Sequence, residues 1–427
     1  MRDKLVTGID VGTSKITTIV ATVKEEGPLH IIGVSTVDSK GLRKGQVVDI
    51  EDAIASISPS LEAAERMGGA SISNAYVSVG GSHISSQNSH GVVAVAEPDR
   101  EITSADVSRV VDAAKAISMP GSRAILHVLP RGFIVDGQEG IADPIGMTGV
   151  RLEVDTHVVT GGTTAIKNLE KCVSELGVAV DGMVFGGLAS AEAVLSDTEK
   201  ELGVTLVDIG GGTTDIAVFV EGALSYSSVI PIGAKNITND LAIGLRISLE
   251  SAEKIKLLLS TKHKNPALPT DVRTKKSDDE LDLTSLALPE ELKKVSRKTL
   301  VDGIIRPRLN EIFSMVGLEI KKSGFGGKTP SGLVICGGGA ETVGLLDTAR
   351  KYLAMPVRIG IPTNISGLID EILTPAYATS VGLVQYGAKM FPHEGSSPLL
   401  GKMGKFTKFP VKGLMGKLLD IIKPFLP

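Results

Sequence analysis

GIDVGTSKI, at Gly8–Ile16, and VDIGGGTTDIAVF, at Val207–Phe219, are two versions of one pattern. Each is an apolar β-type run, an aspartate (Asp10, Asp208), a glycine turn with hydroxyls, and a second β-type run. The first turn carries Gly12, Thr13, Ser14 and Lys15; the second carries Gly210, Gly211, Gly212, Thr213 and Thr214. A third glycine cluster, VICGGGAET at Val334–Thr342, follows in the C-terminal third. One glycine turn alone reads as an ordinary hairpin. Two matched copies and a third cluster predict two related halves facing one another across a cleft. Glycines reach φ > 0 and let backbone N–H groups converge on an anion. The hydroxyls add donors, and Lys15 adds positive charge on the phosphate side. An aspartate beside phosphate needs a cation between them, and Mg²⁺ typically binds through one or two carboxylates while keeping several waters. The pattern predicts a nucleotide polyphosphate with Mg²⁺, and Asp10 and Asp208 as its outer, water-bridged metal ligands.

The remaining composition narrows the class. The 427 residues leave room for several cored domains. With 42% hydrophobic and 22% charged residues the bulk reads as globular. Aromatics are 3% and Trp is absent, which argues against a base-stacking surface. A net charge of −4 supplies no basic field for nucleic acid. Cys172 and Cys336 lie in apolar runs and are expected to be reduced and buried, as in a cytosolic protein. The start, MRDKLVTGID, has no apolar signal core, and no apolar run is long enough to span a bilayer. The seven histidines are scattered, so an imidazole metal site is not expected. GFGGKT at 324–329 falls short of a Walker loop, because Lys322 stands where its first glycine belongs.

Along the chain, residues 5–37 predict a three-stranded meander turning at Gly12 and near Gly27–Pro28. A helix is expected over 51–67 and a strand over Ala75–Gly80. Residues 84–158 hold two short β-type runs, a helix around Ser104–Ala116, and strands at Ala124–Leu129 and His157–Thr160, which together suggest an inserted subdomain. Helices follow over Lys167–Leu176, Gly187–Leu195, Ile237–Gly244 and Leu249–Leu259. Residues 261–294, charged and bearing prolines, read as a loop or small surface sheet. Arg297–Ile320 reads as a long helix that Pro307 kinks or breaks. Leu333–Cys336 reads as a buried strand, Ala376–Lys389 as a small-residue helix, and 391–410 as a flexible tether.

The last segment, VKGLMGKLLDIIKPFLP, separates cleanly at helical spacing. Val411, Leu414, Met415, Leu418, Leu419, Ile421, Ile422, Phe425 and Leu426 fall on one arc of roughly 160°. Lys412, Lys417, Asp420 and Lys423 fall opposite. A basic amphipathic helix on a tether suits an anionic membrane surface, through Val411, Leu414, Met415, Lys417, Leu418, Leu419, Ile422 and Phe425. The other reading is a terminal helix docked on the chain's own core.

These residues resemble a known family. The two hairpins, the CGGGA turn and ESAEKIK at Glu250–Lys256 are similar to the actin/heat-shock-chaperone/sugar-kinase ATPase superfamily. Within it the whole chain resembles the FtsA family of bacterial cell division proteins. HVLPRGFIVDG (127–137), DPIGMTGVRLEV (143–154), GLASAEAVL (187–195), GAKNITNDLA (233–242), PVRIG (356–360) and the amphipathic tail carry the likeness beside the hairpins. The resemblance implies an α/β actin-like ATPase fold: two related halves around a nucleotide cleft, an inserted α+β subdomain in place of one of actin's small ones, and a C-terminal amphipathic helix. It implies a first subdomain of 1–83 with 161–198 and 366–390, the insert at 84–160, a second subdomain of 199–245 with 301–365, a small outer one at 246–300, a linker at 391–410 and a membrane helix at 411–427. By carry-over Asp10, Gly12, Thr13, Ser14 and Lys15 line one phosphate loop, and Asp208, Gly210, Gly211, Gly212, Thr213 and Thr214 the other. Gly337, Gly338, Gly339 and Ala340 pack under the adenosine of ATP. Glu253 and Lys256 reach its ribose and base. Gly233 belongs to the same nucleotide-binding set, and Asn236 and Asp240 follow it in the segment before that helix.

The resemblance also implies partners: the C-terminal peptide of the tubulin-like protein FtsZ, further copies of the chain, anionic lipids, and later division proteins at 84–160. Lys293, Lys294, Arg297 and Lys298 form a basic cluster suited to an acidic peptide; the plain alternative is a solvated helix start. One departure from hydrolysing relatives stands out. Gly187 occupies the helix-start position where they place a Glu or Gln to orient water, and Glu192 lies a turn or more beyond. ATP binding with weak hydrolysis follows. The rival readings are a PilM-like or MreB-like membrane-associated actin homologue and, further off, a small-molecule kinase.

Overall fold

The computed structural model describes residues 4–24, 27–96, 101–264, 279–290 and 292–391. The alternating Val/Ile/Thr run at the start forms an antiparallel meander of Lys4–Val11, Lys15–Val23 and Leu29–Asp38, with Asp10 opposite Thr17. Lys4–Val11 then pairs in parallel with Asn74–Val79, which pairs in parallel with Ala179–Phe185. The second half repeats this plan. Val204–Ile209, Thr214–Val220 and Ala223–Ile230 form a meander, and Val204–Ile209 pairs in parallel with Leu333–Cys336, itself parallel to Val357–Ile359. The strand order is the same in both sheets, except that Ile365–Gly367 extends the first beside Leu29–Asp38.

Strand side chains alternate between faces, and this divides the core. Leu206, Ala217 and Phe219 join the core shared with the first sheet, while Val207, Ile209, Ile216 and Val218 join a second core on the other face. Two helices rich in small residues fill the layer between the halves. Gly186–Val194 packs on strands of both sheets, and Ala378–Lys389 packs on that helix and on the first sheet. Their approach is tight enough that a Cβ on Gly382 would stand 1.7 Å from the Ala189 carbonyl oxygen.

Between the parallel strands of the first half, Ser85–Ala94, Arg123–Val135, Gln138–Ile141 and Arg151–Gly162 form a separate four-stranded sheet. The helix Ser104–Lys115 covers it, started by a reciprocal Thr103–Asp106 cap. Two strands run longer than the expected Ala124–Leu129 and His157–Thr160. Pro130 does not end its strand because it faces Thr156 at a register shift, where a missing N–H is tolerated. This sheet also rests on the edge strand of the second half. Ser86 Oγ donates to the Ser227 carbonyl at 2.7 Å, His157 Nε2 lies 2.9 Å from Ser227 Oγ, and Arg131 Nε donates to Ser225 Oγ at 3.0 Å.

Other differences are local. The long helix expected over Arg297–Ile320 is a π-helical stretch, Thr299–Ile305, followed by an α-helix, Arg306–Lys322. Pro307 comes two residues after that π-helical stretch, and the helix runs on through it, so the proline is accommodated at an irregular turn and does not break the helix. A short helix at Asp197–Leu202 and the strand Ala179–Phe185 add to the expected set. Within 261–294, Glu280–Asp282 pairs with Lys294–Ser296. The residues of the expected tether beyond Phe391, and the amphipathic segment 411–427, lie outside the described residues. Among the described residues no helix is long and apolar enough to cross a membrane.

Candidate functional site: a cleft between matched hairpins

The two hairpins close in the same way. Gly12 N–H donates to the Lys15 carbonyl at 3.1 Å, and Gly210 N–H donates to the Thr213 carbonyl at 2.9 Å. Those glycine N–H groups are spent on the turns, so the donors left to meet an anion belong to the tips. The tips abut. A Cβ on Gly211 would stand 2.0 Å from Ser14 Oγ, and one on Gly212 would stand 2.8 Å from Thr13 Oγ1. A side chain at either glycine of the second tip would have to displace the Ser14 or Thr13 side chain of the first.

Behind the tips lies a cleft of about 1070 Å³. Asp10 accepts from Ser78 Oγ at 2.7 Å, and Asp208 accepts from Ser190 Oγ and from Thr379 Oγ1, the latter at 2.9 Å. Asp215 faces Asp208 across the ladder. It is buried, and its Oδ1 has no hydrogen-bond partner among the described residues. Burial pushes the Asp10 carboxyl up to about 6, against the hydrogen bond from Ser78 and the charge of Lys15. Burial likewise raises Asp208, and raises Asp215 well above the carboxylate range, with the charges of Asp208 and Asp10 adding to the latter. Burial also holds the neighbouring Cys336 thiol far up.

The lining carries seven acidic side chains (Asp10, Asp38, Asp208, Asp215, Glu250, Glu253, Glu341) against three lysines (Lys15, Lys235, Lys256). A polyphosphate would be repelled from such a surface without a cation to accompany it. An unpartnered buried carboxylate oxygen beside Asp10 and Asp208 suits a hard, oxygen-seeking ion. Among the described residues no three His, Cys, Asp or Glu side chains gather into a direct cage. The oxygen groups of Asp10, Asp208 and Asp215 are of the chemistry that would fit Mg²⁺.

Along the same cleft, the helix Leu249–Lys264 presents Glu253 and Lys256. Lys256 Nζ lies 2.8 Å from Glu253 Oε2 and donates to Thr238 Oγ1 at 2.9 Å, while Thr238 donates to Glu253 at 2.6 Å. Gly337, Gly338 and Gly339 also line the cleft. Ala340 instead borders an adjoining hollow of about 320 Å³.

Some predicted residues are not brought to the cleft. Thr214 is fully buried and donates to the Ile232 carbonyl at 2.9 Å, because strand alternation turns it away from the face that Thr213 and Asp215 share. Gly212 packs on Thr13. Gly233 lies beneath the second hairpin, where a Cβ would stand 2.6 Å from the Gly210 carbonyl oxygen. Asn236 accepts from Gly233 N–H at 3.1 Å, and Asp240 pairs with Arg308 at 2.6 Å. Glu192 is engaged by Lys200 at 3.5 Å and by Lys389, and Gly187 abuts the Phe185 ring. Of the basic cluster, Lys294 pairs with Glu280 at 2.9 Å, and the Lys298 N–H donates to the Asp279 carboxylate. The Arg297 N–H donates to the Asp279 carbonyl, and Lys293 is exposed.

Three further residues complete the site. Lys15 Nζ sits 3.7 Å from the centre of the Tyr377 ring. Lys235 Nζ donates to the Thr13 carbonyl at 2.9 Å across the cleft. Asp215 was legible from strand parity, whereas Lys235 and Tyr377 reach the first hairpin only through tertiary packing.

Comparisons with known proteins bear on the family and the fold. Residues 81–160 match the family model of an SHS2 domain inserted in FtsA, and residues 205–382 match that of the cell division protein FtsA. The chain is 42% identical over 386 residues to the cell division protein FtsA of Pseudomonas aeruginosa, covering 90% of this chain and 89% of that one. It is 42% identical over 386 residues to the FtsA of Borreliella burgdorferi, covering 90% and 91%. Among solved structures it resembles the PilM–PilN type IV pilus biogenesis complex, with a TM-score of 0.62 at 13% identity, covering 90% of this chain and 98% of that one. That likeness shows a shared fold alone, so the PilM-like reading gives way to the family matches. With its two matched halves and inserted subdomain, the chain belongs to the FtsA family of actin-like cell division proteins.

Proposed function

We propose that this cell division protein binds Mg·ATP between its halves, assembles with copies of itself on the cytoplasmic face of the membrane at the division site, and tethers FtsZ there. The observation that carries the reading is the pair of abutting hairpins over a cleft lined by Asp10, Asp208 and Asp215. Magnesium would supply charge neutralisation of the phosphates, held by Asp10 and Asp208 through water. Thr13, Ser14 and Lys15 would meet the phosphates from one half, and Gly211 and Thr213 from the other, with Gly12 and Gly210 closing the two turns and Gly212 packed on Thr13. Gly337, Gly338 and Gly339 would support the adenosine, with Ala340 behind them, and Glu253 and Lys256 the ribose. Residues from both halves touching one ligand favour a closed arrangement. No side chain at Gly187 orients a water and Glu192 is engaged elsewhere, so hydrolysis is weak.

For this role we divide the chain as the family likeness suggests, with 84–160 facing later division partners and 246–300 facing the FtsZ peptide. Lys293, Lys294, Arg297 and Lys298 are the candidate contacts there. The amphipathic segment 411–427 supplies the membrane anchor, and many weak anchors in one polymer act together through avidity. The test is co-sedimentation of FtsZ with anionic liposomes, Mg·ATP and this protein, full length against a version ending at Gly395. FtsZ pelleting only with the full-length chain is the expected result. FtsZ left in solution while this protein pellets would keep the anchor and remove the partner. Equal pelleting of the shortened chain would remove the anchor.

A further inference from the structure

We infer that Lys235 grips the phosphates of the bound nucleotide and at the same time ties the second half to the first hairpin. The inference rests on the nucleotide reading above and adds a residue to it. Lys235 is the second residue of the helix Ala234–Leu245, directly after the second hairpin's support at Gly233. The first two N–H groups of that helix are already used, Ala234 donating to the Gly210 carbonyl and Lys235 to the Gly211 carbonyl, each at 2.9 Å. The backbone therefore fixes where the side chain starts, and the side chain crosses the cleft to the Thr13 carbonyl of the opposite half at 2.9 Å. Thr13 is a junction in its own right. Its Oγ1 accepts from Gly45 N–H at 2.9 Å and packs against Gly212. An ammonium has three N–H donors, and the bond to Thr13 uses one.

The three lysines of the cleft differ in what surrounds them. Lys15 lies over the Tyr377 ring, with Asp10, Asp208 and Glu341 as its neighbouring charges. Lys256 is buried against Glu253 and Thr238. The acidic neighbours of Lys235 are Glu253, already held by Lys256 and Thr238, and Asp38, while Lys256 opposes its charge. Lys235 thus shares one of its two acidic neighbours with Lys256, and it stands at the hairpin tip instead of its carboxylate base. A phosphate chain lying along the tips completes its coordination. Charge-assisted hydrogen bonds of this kind are the strong ones.

The experiment is displacement of a fluorescent ATP analogue by ATP, ADP or adenosine, with Mg²⁺, on the full chain. Wild type, Lys235→Ala, Lys235→Met and Lys235→Arg are compared after their melting temperatures are shown to match. Lys235→Ala and Lys235→Met are expected to weaken ATP and ADP about tenfold, with adenosine unchanged and Lys235→Arg keeping most of the affinity. Unchanged ATP affinity in both neutral variants, or an equal loss for adenosine, would overturn the inference while leaving the cleft as a nucleotide site. A wild-type chain that binds no nucleotide would overturn the reading beneath it.

Discussion

At Asp215 the period of a β-strand separates a site residue from its neighbour. Thr213 and Asp215 line the cleft while Thr214, between them, donates to Ile232 in the core. The hydroxyl alone made Thr214 look like a ligand residue; counting alternate positions from Asp208 and Thr213 separates the two. Asp10 carries a prediction at this scale. Its carboxyl is raised by burial from 3.8 to about 6, so the folded state binds the proton more tightly than the unfolded chain. The stabilisation this gives is full below the unfolded value and is lost as pH rises through about 6. Measured by urea unfolding without nucleotide or Mg²⁺, wild type should lose more stability between about pH 4 and pH 7 than Asp10→Asn does. Parallel pH profiles for the two would contradict the assignment.

Among the elements, those with a local cause were readable and those with a tertiary cause were not. The meander from Lys4 to Asp38 follows from alternation and a glycine turn, and it forms as expected. The strand through Pro130 depends on a register shift opposite Thr156, which no local rule supplies. The two small-residue helices were expected, but not their closeness. At Gly382 an added Cβ meets the Ala189 backbone oxygen at 1.7 Å, and neither helix can yield without moving the sheets it packs on. Gly382→Ala should therefore destabilise the protein by about 3 kcal/mol, the upper end for overpacking, read as a shift in the urea midpoint with the slope unchanged. A midpoint within error of wild type would show that the helices separate freely.

For the whole molecule, the duplicated sheet order explains why two hairpins, almost two hundred residues apart in sequence, come tip to tip. The inserted sheet roots in the first half and rests on the second through Ser86, His157 and Arg131, so it spans the same two bodies that the cleft separates. Repeated motifs made the halves legible. The cross-cleft reach of Lys235 and the docking of the insert on Ser225 and Ser227 were not, because they join residues with no sequence relation. If Mg·ATP joins these halves, titration calorimetry with ATP, with Mg²⁺ and then with EDTA, on wild type, Asp208→Ala and Gly211→Val, will show it. Binding that requires Mg²⁺ and weakens by about 10- to 100-fold in both variants is expected, since one removes a carboxylate of the proposed cation site and the other drives a side chain into Ser14. Equal affinity without Mg²⁺, or full affinity in folded Asp208→Ala, would contradict it.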